Sequence, residues 1–332
     1  MKRSKLDEMY SLCDTLTRKE MVDKIEKYEL INQSNKSEPT KYIDQYTNKV
    51  KNEICIKRTK CPLCDSTDFG YIFTKHGFDH MICNSCDLIF TQQVLDSSKI
   101  KFLEVGNEGN IYGMYKMSSL ANERDQKKFK IVFEELKKYS EIKNIFDFGS
   151  QAGTFLDWVK QQGYSIIGHE YHGAIRDIAK KKGHKILKDQ LESIKFDQEF
   201  DLITCWDYLD HVLNPRDVIA NLSKFLKKDG LFFFAINNRD SLSARIMHSY
   251  SPIFIGPHHT MHFGINQLKL LMKDYELLYS ESYVSELNWL SNWLNFKNPE
   301  FGDSSIMTEL LDSKKICELG LGFKLNAIFR KK

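Results

Sequence analysis

The chain has 332 residues, 42% hydrophobic and 28% charged, with 48 Lys and Arg against 45 Asp and Glu. This is enough for two or three units, one with a sizeable core, and the near-balanced charge argues against a nucleic-acid partner held by phosphate contacts. The longest apolar run, Leu231–Ile236, is far too short to cross a bilayer, so no membrane partner is expected.

Residues 1–57 are polar and rich in Lys and Glu. Met1–Tyr10 has a basic start without an apolar stretch, so no signal peptide is visible and a reducing, cytoplasmic location is expected. Met21, Ile25, Tyr28 and Ile31 share one stripe and predict a helix over 17–31, followed by a linker over Asn32–Thr40. A docking helix, a dimerisation arm and a solvated extension all remain open for this segment, so an oligomer is one possible assembly.

Residues 58–95 carry Cys61, Cys64, Cys83 and Cys86 as C-x2-C, eighteen residues, C-x2-C. Two such turns each present two sulfurs on one side and together close a tetrahedron around Zn²⁺. The competing reading is two disulfides of a secreted protein. A reducing compartment favours the metal, whose role would be structural because all four positions are filled. Between the pairs, FGYIFTKHGFDHMIC reads as two strands turning at His76-Gly77, and DLIFTQQ as a third. So small a ribbon would draw much of its stability from the metal. Cys13, Cys55, Cys205 and Cys317 read as ordinary thiols, and His76 and His80 are not expected to ligate.

Residues 96–122 bridge, loosened by Gly106, Gly109 and Gly113. Phe129, Val132, Phe133, Leu136 and Tyr139 then mark an amphipathic helix. Strands at 144–149, 165–170, 184–188, 200–207 and 231–237 alternate with helices at 153–162, 174–182 and 215–228. This is the pattern of βαβ units around a parallel sheet. A helix over 265–273 and strands near 275–284 and 322–330 follow, the last two separated by an insertion, 285–319, with Trp289, Trp293 and Phe296. Those aromatics suit either an acceptor pocket or ordinary core packing.

Asp147-Phe148-Gly149-Ser150-Gln151-Ala152-Gly153 ends the first of these strands and opens a helix. Its glycines permit a sharp turn that brings a ligand to N–H groups at the helix start. Glu170 ends the next strand, 21 residues after Gly149, where an acid can accept from ribose hydroxyls. The loop resembles the D-x-G-x-G-x-G loop of class I S-adenosylmethionine-dependent methyltransferases. Gln151 stands at the middle glycine, closer to the D-x-G-S-N-D-G form of zinc-containing sugar methyltransferases. Further matches follow in order. Phe200-Asp201-Leu202-Ile203 with Leu209-Asp210-His211-Val212 is similar to F-D-h-h … L-E-H-h, Leu226–Gly230 to L-K-P-G-G, and His259-x-x-His262-Phe263 to a segment before the last crossover.

The resemblance, covering residues 58–332, implies a Rossmann-like α/β fold with a seven-stranded methyltransferase sheet over 123–332. It implies that the Asp147–Gly153 loop cradles the methionine end of the cofactor, Ser150 and Gln151 included. Glu170 would hold the ribose, and Asp189 and Leu191 would lie at the adenine. By their own positions at strand ends, Tyr171 either covers the adenine or faces solvent, and Asp207 either touches cofactor or acceptor or only ends its strand. Methyl transfer is an in-line displacement needing position and desolvation, and a hydroxyl acceptor also needs a base. His211, His259 and His262 are the candidates, His211 and His262 foremost. The expected acceptor is a small molecule or glycan, such as a nucleotide sugar or surface-polysaccharide unit. One alternative is RNA modification with the ribbon as grip, which Asp65, Asp68, Asp79 and Asp87 oppose. The other is a non-catalytic interaction module.

Overall fold

The computed structural model describes residues 42–96, 119–254, 256, 259–283 and 313–332, leaving aside the side chains of 119–124 and 174. The helix expected over 17–31, the bridge glycines, His258 and the insertion's Trp289, Trp293 and Phe296 lie outside the described residues.

The ribbon begins earlier than position 58. β1 (Cys55–Lys57) pairs antiparallel with β5 (Gln93–Leu95), and Tyr42 and Val50 are buried against Phe78. Between them, β2 (Phe69–Lys75), β3 (Phe78–Cys83) and β4 (Ile89–Thr91) form an antiparallel meander turning at His76-Gly77, both with positive φ. The meander does not end within the ribbon. β4 also pairs with β11 (Met261–His262), so a strand from the C-terminal half completes a four-stranded sheet.

The large sheet is Rossmann-like. β6 (Asn144–Phe148), β7 (Ser165–His169), β8 (Ile186–Leu187), β9 (Phe200–Trp206) and β10 (Leu226–Asn237) are parallel. β12 (Tyr275–Tyr283) and β13 (Lys324–Lys331) are added antiparallel, giving the spatial order β12-β13-β10-β9-β6-β7-β8. The β6–β9 boundary is where strand order reverses, and ligands of open α/β sheets bind beyond the carboxyl ends there.

β9 is buried along its whole length, as a central strand covered on both faces must be. Its residues alternate between two cores. Leu202 and Trp206 face α1 (Ser119–Leu136) and α2 (Thr154–Gln161), while Ile203 and Cys205 share an apolar cluster with Phe232, Phe234 and the ribbon's Leu63, Leu88 and Phe90. One face of the large sheet and the ribbon therefore have a common core. α3 (Gly173–Lys181) links β7 to β8 and α4 (Pro215–Ser223) links β9 to β10. α4 is shorter than the expected 215–228, because Leu226 already pairs with Phe200 and starts β10 ahead of an irregularity before Leu231. Gly230 consequently lies within β10. α5 (Leu242–Met247) and α6 (Ile265–Leu271) precede β12, and α7 (Ser313–Glu318) lies within the stretch read as an insertion.

Candidate active site

The glycine turn after β6 is tied to the end of β7. The N–H groups of Gly149 and Ser150 both donate to the His169 carbonyl at 2.9 Å, and the Ser150 hydroxyl donates to it at 3.1 Å. Gly168 allows this approach, since a Cβ there would lie 2.6 Å from the Ser150 hydroxyl. Gly149, Gln151 and Gly153 have φ of 82°, 49° and 77°. Glycine is required at Gly149 for a second reason: a Cβ would sit 2.3 Å from the Tyr208 ring. Tyr208 thus lies on the turn, edge-on to Phe148, and stacks toward His211 with 5.8 Å between centroids.

Glu170 is buried, and its carboxylate accepts from the Gln151 N–H at 2.9 Å and the His172 N–H at 2.8 Å. It therefore faces the loop directly. A carboxylate offers about four acceptor directions, so two are left for a ligand. Asp147, 1% exposed, accepts from the Thr204 hydroxyl at 2.6 Å. Burial, with the nearby Glu170 charge adding to it, pushes its carboxyl up to about 7; burial likewise raises Glu170. Two buried acids beside a glycine turn make a site that favours a cation. Near them, His169 stacks on Phe148 and its Nε2 lies 2.9 Å from the Asp189 carbonyl. Leu191 is buried, whereas Tyr171 is 46% exposed and the Asp189 side chain is exposed.

The rim beyond β9 holds the second group. Asp207, at φ 51°, pairs through Oδ1 with Lys324 Nζ at 2.7 Å, and Lys324 also donates to Asn237 Oδ1 at 2.7 Å. The 3-10 turn Leu209–His211 puts Asp210, 3% exposed, between two imidazoles. His211 Nε2 is 3.7 Å from its Oδ1, and His259 Nδ1 is 3.4 Å from its Oδ2. His262 is placed differently. It is 2% exposed, stacked on His80 at 5.5 Å and edge-on to Phe254, and burial holds its pKa well below the ordinary value. So enclosed a ring cannot meet an acceptor; His211, with a third of its side chain exposed, can.

In the ribbon, the four sulfurs gather as expected. Cys61 Sγ lies 3.6 Å from Cys86 Sγ and Cys64 Sγ 3.5 Å from Cys83 Sγ, all four within 4.8 Å. A tetrahedron with bonds near 2.3 Å has edges of about 3.8 Å, so the cluster fits one ion with small adjustments. The two Cys-x-x-Cys turns are alike, each followed by an aspartate, Asp65 or Asp87, with positive φ. Sequence reasoning missed Tyr208, Gly168 and the partnership of Asp210 with His259. Only Gly168, a glycine inside a β run, carried a visible signal.

Residues 120–279 match the family described as "Methyltransferase domain". The chain is 24% identical over 151 residues to a ubiquinone biosynthesis O-methyltransferase of Actinobacillus pleuropneumoniae, across 41% of this chain and 62% of that one. To the same-named protein of Pasteurella multocida it is 29% identical over 114 residues, across 29% and 47%. It thus spans less than two thirds of either relative. Similar solved structures include a SAM-dependent methyltransferase from Archaeoglobus fulgidus (16% identity, TM-score 0.47, 66% of this chain and 99% of that one). Another is the plantazolicin methyltransferase BpumL with SAH (15% identity, TM-score 0.46, 71% and 98%).

Proposed function

We propose that the protein is an S-adenosylmethionine-dependent methyltransferase acting on a hydroxyl of a small molecule, with a sugar hydroxyl the first class to screen. The observation that carries this reading is the pair of buried acids, Asp147 and Glu170, at a glycine turn on the sheet's switch point. The match of residues 120–279 to methyltransferase domains supports it, as do relatives named for O-methylation. When bound, the cofactor supplies a methyl already activated by its sulfonium. The turn and Glu170 would hold its methionine and ribose parts, with Asp189, Leu191 and Tyr171 around the adenine. Tyr208 would wall the sulfonium side. Asp207, held by Lys324, would shape the rim, and the acceptor would lie beside His211.

Cys61, Cys64, Cys83 and Cys86 would hold a structural Zn²⁺, with the ribbon forming one wall of the acceptor side. Calorimetry with the cofactor product SAH, and labelled methyl transfer to nucleotide sugars and phenols, test the assignment. We expect binding that Glu170→Ala abolishes. A folded protein that binds neither SAM nor SAH sinks the reading.

A further inference from the structure

We propose that Asp210, His211 and His259 form a second metal site, for a divalent transition ion, on the acceptor rim. The three side chains each offer one donor atom, and these lie within 4.8 Å of one another. The separations of 3.4 and 3.7 Å between the imidazole nitrogens and the carboxylate oxygens are long for hydrogen bonds. The shorter equals the edge, about 3.4 Å, of a tetrahedron with bonds near 2.1 Å, and the two run to different oxygens of one carboxylate, so a shared ion draws the donors together from their present spread of up to 4.8 Å. Asp210 Oδ1 is buried without a hydrogen-bond partner, an arrangement that costs free energy unless a cation meets it. His259 Nδ1 faces two oxygens at once, Asp210 Oδ2 at 3.4 Å and the Ile253 carbonyl at 3.1 Å. The Ile253 carbonyl accepts from the Nδ1–H, so an ion held by Nδ1 must displace that proton and take the carbonyl as a neighbouring oxygen ligand.

The remaining contacts hold the carboxylate in place. Asn237 Nδ2 donates to Asp210 Oδ2 at 3.3 Å, and the Thr260 N–H donates to the Asp210 carbonyl at 2.9 Å. Two imidazoles and one carboxylate are a donor set for Zn²⁺, Mn²⁺, Fe²⁺ or Co²⁺, and a poor one for Ca²⁺. His211 keeps a third of its side chain exposed.

The ion's role rests on the methyltransferase reading: an acceptor hydroxyl bound there becomes more acidic. His211 then acts as a ligand in place of a free base. The hydroxyl proton leaves to bulk water, the oxygen forms the new C–O bond, and the S–C electron pair stays on sulfur.

The test is Mn²⁺ titration of the full-length protein followed by electron paramagnetic resonance, because a hard ion is not retained by the tetrathiolate. One bound Mn²⁺ per chain is expected, weakened at least about tenfold by Asp210→Asn or His259→Gln and unchanged by Glu318→Gln. His211→Gln, at a partly exposed position, serves if Asp210→Asn fails to fold. A folded wild type without bound Mn²⁺, or equal affinity in all the variants, overturns the site. SAH binding without Mn²⁺ binding removes the ion but keeps the methyltransferase. Mn²⁺ binding without SAH binding supports the ion and removes the methyltransferase.

Discussion

Asp147→Asn tests the electrostatics of the glycine turn. In the unfolded chain this carboxyl titrates near 3.8, and in the fold burial pushes it up to about 7. The raised value means that the folded state keeps a proton which the unfolded state has lost. Stability from this group is therefore full below about 4, falls as pH rises through the window from 3.8 to about 7, and is flat above it. At about 1.36 kcal/mol per pH unit, the part of that window above pH 5.5 corresponds to roughly 2 kcal/mol. Asparagine fills the same space, can still accept the Thr204 hydroxyl and does not titrate. The stability difference between variant and wild type should thus move by about 2 kcal/mol in favour of the variant between pH 5.5 and pH 8. Denaturant unfolding of the ligand-free proteins at both values measures it. A difference that does not change with pH would show that Asp147 ionises freely in its setting, and the view of the turn as a cation-seeking site would lose its basis.

Glu170→Gln leaves one of two backbone N–H groups facing an amide NH₂. Loss of a charged acceptor is worth about 1.5–3 kcal/mol, so SAH should bind roughly 10- to 100-fold more weakly by calorimetry; unchanged affinity would detach Glu170 from the cofactor. Chelating the ribbon metal should lower the thermal midpoint before it weakens SAH binding, since the sulfurs lie in the ribbon and the turn beyond β6; the reverse order would contradict a structural ion. Arg58 donates to the carbonyls of Thr91, Thr260 and Leu213, each at 3.1 Å, and burial depresses it to about 10. Arg58→Ala should cost about 2–3 kcal/mol in denaturant unfolding and impair acceptor turnover more than SAH affinity; equal loss of both would deny the ribbon a role at the rim.

What was readable in the sequence follows the range of the physics. β6, β7, β9 and β10 show themselves because a strand covered on both faces is a nearly continuous apolar run. The glycine turn and the cysteine pairs are local, so their chemistry is written in consecutive residues. Tyr208 was not readable, because nothing in Asp207-Tyr208-Leu209 says that the ring folds back over Gly149. Asp210 read only as a signature acid, since its partner His259 arrives after α4, β10 and α5. His262 looked available because its cover, His80, belongs to the ribbon. The end of α4 was overrun for a similar reason: Leu226 continues the helical pattern, yet its pairing with Phe200 decides its state.

These long-range partnerships converge on one strand. β11 pairs with β4 through Met261 and His262, which places the preceding Thr260 against both halves of the molecule. The Thr260 carbonyl accepts from the Thr91 N–H and from Arg58, while its N–H donates to the Asp210 carbonyl and its hydroxyl to the Val212 carbonyl. Gln267, next to the same segment, donates to the Cys86 carbonyl at 2.8 Å. A displacement at the cysteine cluster would therefore reach Asp210 through these hydrogen bonds and through a core that ribbon and sheet share. The Asp147–Glu170 turn has no such tie to the ribbon among the hydrogen bonds just described. The fold thus separates the two tasks of the proposed reaction. The turn beyond β6 is hydrogen-bonded to the end of β7 and covered by Tyr208, while the proposed acceptor rim is hydrogen-bonded to the ribbon, so ribbons of different shape on the same sheet would alter the acceptor side more than the cofactor side.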